Sequence, residues 1–544
     1  MAGMNIIAAG RAVLALVLFS ALLVSDLRTT SATGGWASGP AQISGPYAQL
    51  LSASTDLGPA DNGSAQLTMT LHNAGRPAAL FGWAEQHALS VRWRPGDAWA
   101  IAEGRSADMA TAFGVDIHDY RGRRGQEFYA SPQQPSIPEA LTGEVAEVGR
   151  ILGYTPYRMS RPDLRNLPTD VPDQGLTPQG VLNTYNLAGL SEQGFTGKGT
   201  TIVFFAFDGF DQADLDTFST TFGLPRFTPT VVGGQPSAPR GETTMDLQVA
   251  HAIAPDAQKV VVNARPTVQG DGAYEKIGKM LESADQQFPG AVWSFSIGWG
   301  CDKLITAADL APVRSALSTA HTHGTTAFNA SGDLAGLECK GGQDWSSAPG
   351  KDDIGLDSVA SVPEMTDVGG TTLSTDADGG WLAEQAWFDV PLSQGTGGGV
   401  SSLFDRPDWQ HGLSAPGSSE AGGDQKRLTP DISAVADPFT GVKIVLNGQV
   451  LVGGGTSQSA PLWAAMAAVM NQYLIANGGR ALGDLNPMLY RIAKGAPLPA
   501  FRDVTLGGNA VATAAPGYDL VTGLGTPDVE NLVKNLLFLQ KAHR

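Results

Sequence analysis

The rhythm of hydrophobic and polar positions changes part-way along the chain. Between residues 36 and 160, short alternating runs mix with helical patches. Leu67-Thr68-Met69-Thr70-Leu71 alternates with period two, the pattern of a half-buried strand. Pro138-Glu139-Ala140-Leu141 predicts a short helix with proline in its first turn. From Ser160 to Gly180 periodicity is lost: four prolines and three aspartates mark a linker and a protease-sensitive boundary. Beyond it, continuous apolar runs appear at Thr200–Phe205, Lys259–Val262, Val292–Ile297 and Thr325–Asn329. Between them, 3.6-residue periodicity predicts helices over Asp211–Phe222, Gly241–Ala250, Tyr274–Gln287 and Ser315–Thr322. Buried strands alternating with helices predict an α/β fold with crossover connections and a mostly parallel sheet. On such sheets reactive groups sit at the carboxyl ends of strands.

The N-terminus predicts an export signal over residues 1–32. Arg11 precedes a 13-residue apolar run, Ala12–Val24, and Thr30-Ser31-Ala32 supplies small residues for cleavage. An uncleaved anchor is the alternative, but the run is short for a bilayer. No later stretch reaches about 18 apolar residues, so no stable membrane span is expected after signal removal, and the mature protein is expected to be secreted. The expected domains are therefore a smaller domain at 36–160, a linker at 161–180 and a larger unit at 181–540.

Composition narrows the function. With 53 Asp+Glu against 35 Lys+Arg in 544 residues the net charge is −18, and no basic stripe exists to displace phosphate counterions. Nucleic acid is not an expected partner. Two cysteines, Cys301 and Cys339, could form one disulfide in an exported protein, contributing about 4 kcal/mol by loop entropy. Two buried thiols are the alternative. No Cys/His cluster has zinc spacing.

Three segments carry candidate chemistry. Gly453-Gly454-Gly455-Thr456-Ser457 leads into a helix predicted over Leu462–Leu474, with Pro461 at its N-terminus. A serine there lies beside backbone N–H groups and the positive end of a helix dipole, which favour developing negative charge. N-capping serines give the same pattern for structural reasons alone. Glu242 and Asp246 stand at i and i+4 on one helix face, about 5–6 Å apart. Like charges so close predict a shared proton and a raised apparent pKa, unless the face is simply solvated. Asp333, in Asn329-Ala330-Ser331-Gly332-Asp333, follows a predicted strand, although Gly-Asp is also ordinary turn chemistry. His323 and His251 are the histidines that could instead serve Ser457, but neither sits in a recognisable catalytic motif.

Glu242-x-x-x-Asp246, Ser331-Gly332-Asp333 and Gly455-Thr456-Ser457-x-x-x-Pro461, in this order, resemble the sedolisins, the serine-carboxyl peptidases. Val368–Thr371, Gly397–Gly399, Pro407–Gln410, Thr429–Ser433 and Asp519–Pro527 are also similar. The resemblance spans about 180–535. It implies a subtilisin-like parallel sheet flanked by helices, and an endopeptidase acting at acidic pH on proteins or peptides. Ser457 is then the nucleophile, Glu242 its general base and acid, Asp246 the group that orients Glu242, and Asp333 a protonated donor to the oxyanion. A neutral carboxylic acid can donate such a bond, and a low working pH keeps it neutral. The resemblance further implies a Ca²⁺ site at Asp503, Val504, Ala515, Gly517 and Asp519, built from hard oxygen ligands. Gly298, Trp299 and Gly300 are implied to bind substrate, although the family often has serine where Gly298 stands. Residues 36–160 resemble the family's ferredoxin-like activation prodomain, an intramolecular inhibitor released by cleavage within Ser160–Gly180. Rival readings are a histidine-dependent subtilisin-type protease and a peptide-binding pseudo-protease.

Overall fold

The computed structural model describes residues 40–60, 63–155, 158–159 (backbone only), 175–341, 349–389, 393–415 and 425–542. The predicted signal at 1–32 and most of the cleavage window lie outside the described residues. From Pro40 onward the chain is one compact unit.

The N-terminal part is built as β1 (Ser64–Leu71), α1 (Ala78–Gln86), β2 (Ser90–Arg92), β3 (Trp99–Arg105), α2 (Ser106–Phe113) and β4 (Val145–Val148). Its four-stranded sheet runs β2-β3-β1-β4, all neighbours antiparallel. That is the ferredoxin-like split βαβ arrangement. The alternation read in β1 is observed: Ala65, Leu67, Met69 and Leu71 are buried, the residues between them less so.

The larger part contains an eight-stranded sheet. Its strands are β5 (Thr201–Ala206), β6 (Thr230–Val232), β7 (Gln258–Asn263), β8 (Val292–Phe295), β9 (Thr326–Ala330), β10 (Thr366–Thr375), β11 (Trp381–Ala386) and β12 (Ile432–Val435). The order is β6-β7-β5-β8-β9-β10-β11, with β12 also on β10; every pair is parallel except β10–β11. Five helices concern the site: α3 (Gln212–Phe222), α4 (Glu242–Ile253), α5 (Ala273–Gln287), α6 (Ala311–Thr322) and α7 (Thr456–Ala476).

The apolar strands are buried because both sheet faces are covered. On β5, Ile202 and Phe204 join a core shared with α4 and α7. Val203 and Phe205 join another, with Trp293, Phe295 and residues of α5 and α6. Phe205 stacks on Phe295 with ring centroids 4.3 Å apart. The α7 stretch Ala464–Val469 is almost all alanine and methionine, so it lies close over the sheet and is fully buried.

Two boundaries differ from the sequence expectation. Within the expected linker, Leu176 exchanges backbone hydrogen bonds with Gly441 and Lys443, and a helix starts at Pro178, capped by Thr177. The chain has therefore joined the larger unit before Gly180. The other is α7, which begins at Thr456 and not near Leu462, leaving Pro461 inside the helix.

Candidate active site

The carboxyl ends of β5, β8 and β9 and the N-termini of α4 and α7 converge on one place. Glu242 is the first residue of α4 and Asp246 lies one turn on; they are 7% and 4% exposed. Ser457 is the second residue of α7 and is fully buried. Gly455 reaches it with φ +85°, a left-handed conformation that glycine adopts freely.

Pro461 explains the local geometry of Ser457. Proline has no N–H, so the Ser457 carbonyl loses its helical donor four residues on. Ser296, just past β8, replaces it: its Oγ lies 3.0 Å from the Ser457 carbonyl oxygen and 2.8 Å from Asp246 Oδ1. One hydroxyl either shares its proton between the two acceptors or, with Asp246 protonated, accepts from it and donates to the carbonyl; the second arrangement makes two full bonds.

Electrostatics point the same way. Burial pushes Glu242 well above the carboxylate range, and Asp246 and Asp208 push it further. Burial likewise raises Asp246, opposed by the Ser296 hydrogen bond and reinforced by Asp208. The two acids titrate as a couple. Neither Glu242 carboxyl oxygen nor Ser457 Oγ has a well-formed hydrogen bond to a described residue. Ser457 is nonetheless close enough to pull Glu242 downward against the stronger upward push. Such loose contacts in a substrate-free site tighten when substrate arrives.

Asp333 lies three residues past β9. Its Oδ1 accepts from Thr456 N and Thr456 Oγ1, both at 2.8 Å, so α7's first residue fixes its orientation. A proton on this carboxyl therefore belongs on Oδ2, the oxygen nearest Gly455.

The substrate-edge residues are placed differently from one another. Ile297 and Gly298 pair antiparallel with Met159 and Arg158, so the tail of the prodomain adds a strand to this edge. Trp299 turns inward: its indole is buried beside Phe207, and its backbone N–H donates to Asp357 Oδ2. The Gly300 carbonyl accepts from Ser358 N. Only Gly298 of the three has its backbone engaged in strand pairing.

Asp503 and Asp519 converge on one loop, Asp503 Oδ2 accepting from Gly517 N at 2.8 Å and Asp519 Oδ2 from Ala515 N at 3.0 Å. Two carboxylates held on one loop are hard oxygen donors of the kind Ca²⁺ takes. Cys301 and Cys339 form a disulfide with Cα atoms 4.7 Å apart, so their sulfurs are not metal ligands.

Neither candidate histidine joins the centre. His323 pairs with Asp285 at 2.7 Å. His251 is buried at the end of α4, stacked on Phe227, where burial and Lys259 push its pKa down to about 3. Asp208, fully buried beside the acid pair, was not singled out by sequence reasoning; it lies in no motif, and no sequence signal marked it.

A buried serine at a helix N-terminus thus lies beside paired carboxylic acids, with a third acid at a strand end and neither candidate histidine among them. Residues 69–152 match the family model of the pro-kumamolisin activation domain. Kumamolisin of Bacillus sp. (strain MN-32) is 30% identical over 489 residues, covering 85% of this chain and 83% of that protein. Tripeptidyl-peptidase 1 of Homo sapiens is 29% identical over 456 residues, covering 78% and 76%. Among solved structures, Pseudomonas sedolisin, a serine-carboxyl proteinase complexed with pseudo-iodotyrostatin, superposes with TM-score 0.55 at 25% identity, over 67% of this chain and 98% of that one. The chain belongs to the sedolisin family of serine-carboxyl peptidases. It carries the family's activation domain, and so is a peptidase made as a zymogen.

Proposed function

We propose that this peptidase is a secreted endopeptidase working at acidic pH through an acyl-enzyme on Ser457. The observation that carries this reading is the pairing of a buried Glu242 carboxyl with a buried Ser457 hydroxyl, each lacking a well-formed bond, with the buried Asp246 behind them. As Ser457 Oγ attacks the scissile carbonyl carbon, Glu242 takes its proton. Asp246 shares its own proton with the couple and keeps Glu242 oriented. The oxyanion that forms accepts a hydrogen bond from Asp333 Oδ2–H. Glu242 then hands its proton to the leaving amine, and the same groups activate water to release the acyl chain. Asp333 must stay protonated to donate, which favours acid, while the raised pKa of Glu242 sets the lower limit, since the base must be ionised to take the Ser457 proton.

The strand at Arg158–Met159 supports the zymogen and endopeptidase parts of this reading. It occupies the edge a substrate strand would use, which suits an inhibitory prodomain. A long chain continues upstream of it, and a cleft that admits this suits endopeptidase action. The Arg11 and Ala12–Val24 segment supports secretion. Asp503 and Asp519, with carbonyls of Val504, Ala515 and Gly517, would hold Ca²⁺, which would cross-link two loops by charge. Among the described residues no helix is long and apolar enough to cross a membrane.

Ser457→Ala and Glu242→Gln test the centre. Each is expected to lower kcat at least about 10³-fold with the fold intact, and the wild-type optimum is expected below pH 7. Full activity in Ser457→Ala, or an alkaline optimum, would refute the reading. N-terminal sequencing of the mature enzyme should start within Ser160–Gly180.

A further inference from the structure

Asp208 follows β5, the strand next to β8 in the sheet, and is 1% exposed. Its Oδ2 accepts from Arg240 N at 2.8 Å, and its Oδ1 from Thr243 N at 3.1 Å and Thr243 Oγ1 at 2.7 Å. Its own carbonyl accepts a further bond from Thr243 Oγ1 at 2.9 Å. These donors bracket Glu242: Arg240 lies two residues before it, and Thr243 directly after. All the partners of the carboxyl group are donors, as an anionic carboxylate requires, and the positive end of α4 adds to the attraction.

We propose that Asp208 is a positioning residue of the acid–base centre: it clamps the first turn of α4, and its charge sets the pH at which Glu242 becomes a base. The inference rests on the assignment of Glu242 as that base. Four observations join in it. The clamp is rigid, since both carboxyl oxygens are committed. The site is buried, so charge is poorly screened. Asp208 is held at the turn that carries Glu242. And its charge raises both Glu242 and Asp246, after the larger effects of burial and, for Glu242, of Asp246.

The other groups facing the couple are few. Asp246 is on α4 itself, Asp333 follows β9, Ser457 is on α7 and Ser296 follows β8. Arg240 contributes its backbone N–H. Across the strand ends, Arg265 places its Nη1 3.5 Å from the carbonyl oxygen of Phe207, the neighbour of Asp208.

A negative charge beside a carboxylic acid favours its protonated form. Removing that charge lets Glu242 ionise at lower pH. The test is the pH dependence of kcat/KM on a peptide substrate, using enzyme matured from the full-length chain. In Asp208→Asn the acid limb is expected to move to lower pH by on the order of half a unit or more. Thr243→Val keeps the charge and removes one donor; kcat is expected to fall about tenfold while the acid limb stays in place. An acid limb unchanged in Asp208→Asn overturns the proposal. So does an equal shift in Thr243→Val, which would trace the effect to lost hydrogen bonding. The Thr243→Val arm stands alone should Asp208→Asn not fold. Glu242→Gln, run alongside, separates the two levels: full activity there would sink the base assignment itself, whatever Asp208 does.

Discussion

At the scale of single residues, the centre depends on positions whose backbone has no freedom to spare. A Cβ on Gly455 would lie 2.9 Å from Asp333 Oδ2, the oxygen assigned the catalytic proton, at a φ of +85° that other residues rarely adopt. Gly455→Ala is therefore expected to cost about 1 kcal/mol or more in stability and to lower kcat more than it raises KM. Thermal melting together with kcat and KM on one peptide checks both parts. Asp333 itself separates two roles. Asn can still donate through its amide at any pH, whereas Ala cannot donate at all. Asp333→Ala should lose about 10²–10³-fold in kcat. Asp333→Asn should retain more activity and extend it to higher pH, because no proton has to be held there. Equal losses in the two variants would argue that Asp333 only anchors Thr456.

At the scale of elements, the disulfide ties two parts of the site together. Cys301 lies three residues past Gly298 on the substrate edge, and Cys339 six residues past Asp333. Reduction, or the double variant Cys301→Ser with Cys339→Ser, is expected to destabilise the protein by about 3–4 kcal/mol and to raise KM, since edge and oxyanion donor lose their common tether. A melting scan with and without reductant reads the first effect, and steady-state kinetics the second. Much of this layer was legible in the sequence. β5 and β7 to β9 show as apolar runs because strands buried on both faces carry few polar residues. Glu242 and Asp246 show because helical spacing brings i and i+4 together. What escaped depends on contacts between distant segments. Proline at a helix start is the ordinary reading of Pro461, and only Ser296, 161 residues from Ser457 in sequence, makes an internal proline tolerable. Trp299 turns its indole onto Phe207, 92 residues back, while its backbone N–H goes to Asp357, 58 residues on. Asp208 finds its donors 32 and 35 residues away, with no motif to announce them.

At the scale of the whole molecule, the acid excess meets the zymogen's own seam. Prodomain Arg92 pairs with Glu275, and Arg94 with Glu282 at 2.5 Å, both on α5. Burial pushes Glu275 up, but Lys279 and Arg92 outweigh it, so its pKa is lowered. Asp309 accepts from Arg150 N just past β4, and burial pushes it up to about 6. The two groups act with opposite sign. A carboxylate whose pKa is lowered in the complex stabilises it above the ordinary range and loses that effect as pH falls through the lowered value. One whose pKa is raised takes up a proton on docking, so the complex tightens as pH falls through about 6 toward the ordinary range. Prodomain retention is therefore expected to peak in mild acid and to fail at lower pH, where Glu275 and its fellow carboxylates protonate. The test uses a Ser457→Ala precursor nicked by an added protease between residues 160 and 174, with prodomain dissociation followed by size exclusion across pH. Asp309→Asn removes the proton uptake and should flatten the curve between about pH 5 and 7. Glu275→Gln removes the ion pair and should weaken retention at neutral pH while leaving the mild-acid tightening in place. Curves for Asp309→Asn that parallel wild type across that window would show that Asp309 does not set the seam's response.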